Sequence, residues 1–316
     1  MSSYPAPPDI ICAGVLVADL FVPPLARLPV AGELVATQDF LANSGGSAAN
    51  TATALAKLGV RAVVAGKVGN DIFGDFIIRD LQRKNVDISG ISRSANHGTS
   101  KTVILSVTGE DRRYIHTLGA NADFAGSDLA PRLSNRSRVF YLGGYLTLPS
   151  LRSSELCALL QLAHAGGART VLDVVLPSDQ TDGQSALADV LPHVDFFLPN
   201  DDEAGRLTGE SDTQSQARQL LRYGCDTVVI TLGERGAFLM NRRETIEMPA
   251  FVTQVVDPSG AGDAFAAGVI VGVLENWEMA RTLRFANAIG ASACMALGCN
   301  TGVFTRPQAD AFLAQG

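Results

Sequence analysis

The sequence predicts an α/β fold, with a mostly parallel central sheet, helices on both of its faces and a small separate sheet. Three observations carry this. From residue 138 onward, short apolar stretches near 138–142, 169–175, 194–198 and 226–232 alternate with helical stretches. That is the pattern of repeated strand–helix–strand units. Polar groups recur where strands end: Asp19, Asp173, Asn200-Asp201-Asp202-Glu203, Thr231-Leu232-Gly233 and the segment 257–263. In open sheets of this kind ligands bind outside the carboxyl ends of the strands, so these groups are expected on one rim. Finally, pieces near 33–41 and 99–118 read as exposed strands that have no place in the main sheet.

In chain order, residues 10–18 read as a buried strand that ends at Asp19. Residues 21–41 mix Pro23, Pro24 and Pro29 with short alternating pieces, which suggests a loop plus exposed strands. Asn43-Ser44-Gly45-Gly46-Ser47 forms a turn into an Ala-rich helix that reaches Leu58 and is closed by Gly59. A strand at 61–67 and a helix at about 73–84 follow. Residues 102–107 and 113–117 are the arms of a hairpin with Gly109-Glu110-Asp111 at its turn. Residues 251–256 read as a strand that ends at Asp257. After it comes a glycine-rich turn, then a nearly all-apolar run over 264–274 that must be a buried helix.

The 316 residues, 47% hydrophobic, suffice for one large domain over 1–316, and no linker or repeat divides them. A net charge of −7 without a basic cluster argues against nucleic acid. The five cysteines form no CxxC pair and read as small buried apolar residues in a reducing compartment. Residues 1–8 lack the features of a signal peptide. No uninterrupted apolar run reaches the roughly 18 residues of a membrane span. A cytoplasmic protein that does not bind membranes is expected. The phosphate loop, the dinucleotide fingerprint and the Gly-x-Ser-x-Gly elbow are all missing, and the four histidines form no close ligand pair.

The chemistry concentrates at 257–265, Asp-Pro-Ser-Gly-Ala-Gly-Asp-Ala-Phe. Small residues at Gly260, Ala261 and Gly262 allow a ligand close to the backbone. The first amides of the following helix have no partner within it and lie at the positive end of its dipole, which makes an anion site. A carboxylate at Asp263 either complements that dipole, worth roughly 0.3–1 kcal/mol, or takes a proton from an alcohol beside the anion site. Dipole and amide contacts are expected to lower its pKa. Asn200 and Glu203 are either the start of a helix or ligands of Mg²⁺. Gly45, Gly46 and Asn50 are either a helix start with a surface Asn, or backbone amides and a side chain that face a polyol.

Two motifs resemble the signatures of the ribokinase-like (phosphofructokinase-B type) carbohydrate kinases. The first runs from Asn43 through Gly46 and Asn50 to Gly59 and continues over Gly66-Lys67-Val68-Gly69-Asn70-Asp71-Ile72-Phe73-Gly74. The second is residues 257–268. Landmarks lie between them in the family's order, including Gly119-Ala120-Asn121 and Thr231-Leu232-Gly233-Glu234-Arg235-Gly236. The resemblance implies a three-layer α/β/α sandwich with a small β lid, formed here by segments near 20–42 and 99–118, and transfer of the ATP γ-phosphate to a hydroxyl. It implies Asp263 as base and Gly260, Ala261 and Gly262 as anion hole. Asp19, Gly45, Gly46 and Asn50 fall at sugar contacts, and Asn200 and Glu203 in the phosphate and Mg²⁺ motif. Thr231, Gly233 and Gly236 fall at the nucleotide site, with Asn287 near the adenine. Many members hold a monovalent cation such as K⁺ behind the anion hole. Asp257 matches its side-chain ligand, and Ser259, Ala293, Ala296, Gly298 and Gly302 its carbonyl shell. The segment 298–302 departs from the usual pattern, which leaves K⁺ dependence open. Lids of this family often pair, which allows a homodimer.

Three polar contacts of ribokinases are replaced, by Val17, by Ser47 and by Gly143-Gly144-Tyr145. This argues against plain ribose, because a polar site discriminates strongly when its partners are lost. Val17 and Tyr145 would make the pocket more apolar. A sugar or sugar-derivative kinase is expected first, a nucleoside kinase second and a non-catalytic sugar-binding regulator third. Arg112 and Arg113 in the hairpin are either solvated lid charges or contacts to an anionic substrate.

Overall fold

Alternation of strand and helix builds the main layer, as the periodicity predicts. The computed structural model describes residues 8–110, 112–133, 137–177 and 183–315. Its strands, in chain order, are β1 (Ile10–Gly14), β2 (Val17–Leu25), β3 (Leu41–Gly45), β4 (Ala62–Val68), β5 (Asp87–Arg93), β6 (Lys101–Val107), β7 (Arg113–Thr117), β8 (Val139–Gly143), β9 (Arg169–Leu172), β10 (Phe196–Phe197), β11 (Thr227–Thr231), β12 (Ala237–Asn241) and β13 (Thr245–Met248). The helices are α1 (Ser47–Lys57), α2 (Ile72–Arg83), α3 (Gly126–Leu133), α4 (Ser153–Ala165), α5 (Gly183–Ala188), α6 (Asp201–Thr208), α7 (Thr213–Arg222), α8 (Ala261–Leu274), α9 (Met279–Ala293) and α10 (Arg306–Leu313).

The main sheet has the order β13-β12-β11-β10-β9-β8-β1-β4-β5. Its pairs are parallel except β11–β12 and β12–β13. Alternate residues of each strand face opposite layers. Ile10 and Cys12 of β1 join one core with Leu55, Ile270 and Phe285 of α1, α8 and α9. Ile11 and Ala13 join the other with Leu129, Leu156, Leu207 and Leu220 of α3, α4, α6 and α7. This is the α/β/α sandwich. Helix α8 is buried almost all round, which explains its missing polar face.

A second sheet, β3-β2-β6-β7, is the lid. It departs from the sequence reading in one respect that matters for the site. Residues 10–18 are not one strand. The chain leaves the main sheet at Gly14, whose φ is 135° and where a Cβ would lie 2.1 Å from the Gly143 carbonyl oxygen. Asp19 therefore sits inside lid strand β2, paired with Asn43 and Thr102, and not at the end of a main-sheet strand. Residues 33–37 form no strand, and of that region only Leu41–Gly45 enters the lid. The hairpin arms are as expected, while Asp111 of its turn lies outside the described residues.

One further expectation fails, and three strands went unread. Residues 251–256 are irregular, and Val252, Val255 and Val256 are exposed, so apolar content alone mimicked a strand there. Strands β5, β12 and β13 escaped the sequence reading: β5 is partly exposed without a clear period, β13 is only four residues long, and β12 is a short buried run. Among the described residues no helix is long and apolar enough to cross a membrane.

Candidate active site

Helix α8 starts from Gly260, whose left-handed backbone (φ 76°, ψ 4°) caps it without a side-chain hydrogen bond. A Cβ at Gly260 would come within 2.2 Å of the Cys299 carbonyl oxygen, so the 298–302 segment fixes the turn from behind. Gly262 is the opposite case: a Cβ there would meet nothing within 4 Å. The front of the turn thus faces open space, a cleft of about 220 Å³. Ser47, Asp173, Asn200, Glu203, Thr231, Gly260, Ala261, Gly262 and Asp263 are among the residues that line it. The ends of β9, β10 and β11 and the starts of α1, α6 and α8 meet here, on the rim where open sheets bind ligands.

Asp263 stands in the first turn of α8. Asn50 Nδ2 donates to its Oδ2 at 2.9 Å, and Asn300 Nδ2 donates to Asn50 Oδ1 at 3.3 Å. Asp19 lies on the lid side of this chain, with the Cys299 thiol 3.9 Å from its Oδ2. Its carboxyl covers Gly45 so closely that a Cβ at Gly45 would fall 1.7 Å from Oδ2. Burial pushes Asp263 up to about 7, only partly opposed by the Asn50 hydrogen bond. This corrects the expected lowering: desolvation of the half-buried residue outweighs the charge-favouring hydrogen bond from Asn50. Burial also pushes Asp19 up to about 7, the Thr102 hydroxyl opposing this and the charge of Asp263 adding to it. Two carboxyls that share one site favour a single negative charge between them.

Asn200 and Glu203 form a reciprocal capping box at the start of α6. Glu203 N donates to Asn200 Oδ1 at 2.8 Å, and Asn200 N donates to Glu203 Oε2 at 2.9 Å. Burial raises Glu203 to about 6. Half-buried Asp173, which accepts from the Tyr141 hydroxyl at 3.2 Å, is raised well above the usual range by desolvation and then by the charges of Glu203 and Asp263.

Other expected positions have different surroundings. Asn287 donates from Nδ2 to the Met248 and Pro249 carbonyls at 3.0 and 2.9 Å, so it braces the chain after β13. Gly236 packs against the same segment, where a Cβ would lie 2.1 Å from the Met248 carbonyl oxygen. Val17 and Tyr145 are both 4% exposed and belong to the apolar core, so neither makes the cleft more apolar. Arg113 pairs with Glu110. Arg112 reaches Asp257 and Ser259. Residues 257, 259, 293, 296, 298 and 302 do come together. Gly298 N donates to Asp257 Oδ2 at 2.9 Å, and a Cβ at Gly302 would sit 3.1 Å from the Ala293 carbonyl oxygen and 3.2 Å from Ala296 N. Sequence reasoning missed Asn300, which has no local signal, since its partner Asn50 is 250 residues away.

Comparison with known proteins agrees with this geometry. The family model of the pfkB family carbohydrate kinases matches residues 8–306. A 2-dehydro-3-deoxygluconokinase of Bacillus subtilis is 31% identical over 295 residues, 90% of each chain. A mouse (Mus musculus) ribokinase is 30% identical over 304 residues, 92% of this chain and 90% of its own. The structure of Arabidopsis thaliana ribokinase complexed with ribose and ATP superposes with a TM-score of 0.82 at 24% identity, covering 98% of this chain and 99% of that one. A match over nearly the whole length, to a chain whose sheet, lid and glycine turn are arranged as described, shows that the protein belongs to the pfkB family of carbohydrate kinases.

Proposed function

We propose that this carbohydrate kinase takes MgATP as phosphoryl donor and a polyhydroxylated sugar or sugar acid as acceptor, with Asp263 as the base. One observation carries the reading: a half-buried carboxylate, held by Asn50, stands in the first turn of a helix whose amides face an open cleft. The amides of Gly260, Ala261 and Gly262 receive the charge that develops on the transferred phosphoryl group. Asn50 fixes the orientation of Asp263, and Asp19 orients the hydroxyl from the lid side. A pKa of about 7 makes Asp263 a more effective proton acceptor near neutral pH than an ordinary carboxylate. We take the lid, β2, β3, β6 and β7, as part of a single kinase unit over the matched residues.

Among the described residues no three acidic, His or Cys side chains converge into a metal cage. Glu203 already accepts from Asn200 N. Such a donor set suits Mg²⁺, which keeps several waters and takes its other oxygens from the polyphosphate, better than a resident ion. Magnesium supplies charge neutralisation to that polyphosphate. Thr231, Asn200 and Glu203 line the cleft and are assigned to the nucleotide, together with Gly233, two residues after Thr231.

An assay of ADP release over pentoses, hexoses, keto-deoxy sugar acids, inositols and nucleosides tests the reading. Turnover with a sugar or sugar acid, lost in Asp263→Asn, is the expected result. Turnover with nucleosides alone moves the assignment to a nucleoside kinase, and none at all moves it to a sugar-binding regulator.

A further inference from the structure

Asp257 lies directly behind the anion-binding turn and is only 4% exposed. A buried carboxylate without partners is costly. This one is fully engaged: Oδ1 accepts from Ser259 N at 3.0 Å and from Arg112 Nη1 at 3.3 Å, and Oδ2 accepts from Gly298 N at 2.9 Å. The same Arg112 nitrogen donates to Ser259 Oγ at 2.5 Å. Arg112 comes from the lid, just before β7, 145 residues from Asp257 in sequence. Its guanidinium also lies 5.8 Å from the centroid of the Tyr114 ring.

The cation expected at Asp257 from the family resemblance would have to bring its charge to this carboxylate. A guanidinium is already there, bringing its own positive charge and, at 21% side-chain exposure, largely withdrawn from water. Two cations on one buried carboxylate repel each other at short range, where screening is weak. The residues present therefore do not fit a monovalent ion. We propose that Arg112 is the cation of this site: a lid guanidinium stands where K⁺ would, and the kinase works without a monovalent activator. Arg112 is a positioning residue. It acts through Asp257 and Ser259 on the turn that carries Gly260, Ala261 and Gly262. Its effect on turnover rests on the proposed role of that turn in holding the phosphoryl group.

The test compares KCl with choline chloride at equal ionic strength, by thermal melting and by ADP release with any sugar the panel identifies. Wild type is expected to melt at the same temperature and turn over at the same rate in both salts. Arg112→Ala in choline chloride is expected to melt about 2–6 °C lower and, if the turn holds the phosphoryl group, to lose about tenfold or more in turnover. KCl is expected to restore part of each loss. Arg112→Lys keeps a tethered charge and should stay insensitive to K⁺. If Arg112→Ala does not fold, Arg112→Gln is measured in its place. A wild-type gain in KCl over choline chloride overturns the proposal. So does an Arg112→Ala protein that matches wild type in choline chloride, or one that is impaired and unmoved by KCl. The melting measurement needs no substrate, so an unproductive sugar panel would count against the kinase assignment alone.

Discussion

Asp263 combines two roles that conflict. Its carboxylate must be charged to accept a proton, yet its surroundings penalise charge and push its pKa to about 7. The sign of the resulting pH dependence follows. Activity needs the deprotonated form, so kcat/KM is expected to fall as pH drops below about 7, with Asp19 coupled to the same limb. Stability runs the other way. A carboxyl whose folded pKa lies above its unfolded value of 3.8 binds an extra proton when folded, so its contribution is fully present below that value and is lost as pH rises toward 7. Asp263→Asn is therefore expected to be more stable than wild type at pH 8, by about 1–2 kcal/mol, with the gap closing toward pH 5. Melting curves at the two pH values check this. The same variant should lose roughly 10²–10⁴ in kcat while its affinity for MgATP stays near wild type. Unchanged turnover would remove Asp263 from the mechanism. Its place beside an anion site was legible in the sequence. The direction of its pKa was not, because desolvation is set by how the folded chain packs around it, and even the opposing hydrogen bond comes from Asn50, 213 residues away.

Helix α8 separates binding from folding in two neighbouring glycines. Gly260 is needed by the backbone: its φ is positive and a Cβ would run into the Cys299 carbonyl oxygen at 2.2 Å. Gly260→Ala is expected to cost on the order of 2 kcal/mol or more, seen as a lower melting temperature. Gly262 has open space in front of it. Gly262→Val should fold with little loss, fill the space above the helix amides and abolish turnover. A folded Gly262→Val enzyme with normal activity would sink the anion-hole assignment. Both glycines were visible as one motif, and only packing tells which serves the fold. Residues 251–256 show the converse. Their valines suggest a strand, but with no neighbouring strand to bury them they stay exposed and irregular.

The molecule joins lid to body through a few polar contacts. Buried Asn121 accepts from Leu16 N at 3.1 Å and donates to Leu16 O at 3.0 Å, which pins the crossing from β1 to β2. Asp71 caps α2 and also accepts from Thr99 N and Oγ1, which pins the approach to β6. Asn121→Ala leaves two buried backbone groups unpaired and is expected to cost about 2–4 kcal/mol. It should also raise KM for the acceptor, since Asp19 rides on β2; denaturant titration and steady-state kinetics check both. Tyr114 and Ile115 on the lid are exposed, at 56% and 65%. If lids pair, sedimentation will give twice the 33.2 kDa mass of the chain, and Ile115→Glu will return it to the monomer.

The layer architecture, the two glycine turns and the family were legible in the amino-acid sequence, because strand and helix periods and turn residues are local properties of the chain. The transfer of Asp19 to the lid, the elevated pKa of Asp263 and the Arg112–Asp257 pair came only with the tertiary structure. Each depends on groups that folding brings together from 100 residues or more apart. Burial and charge at such a point are sums over neighbours that no local pattern encodes.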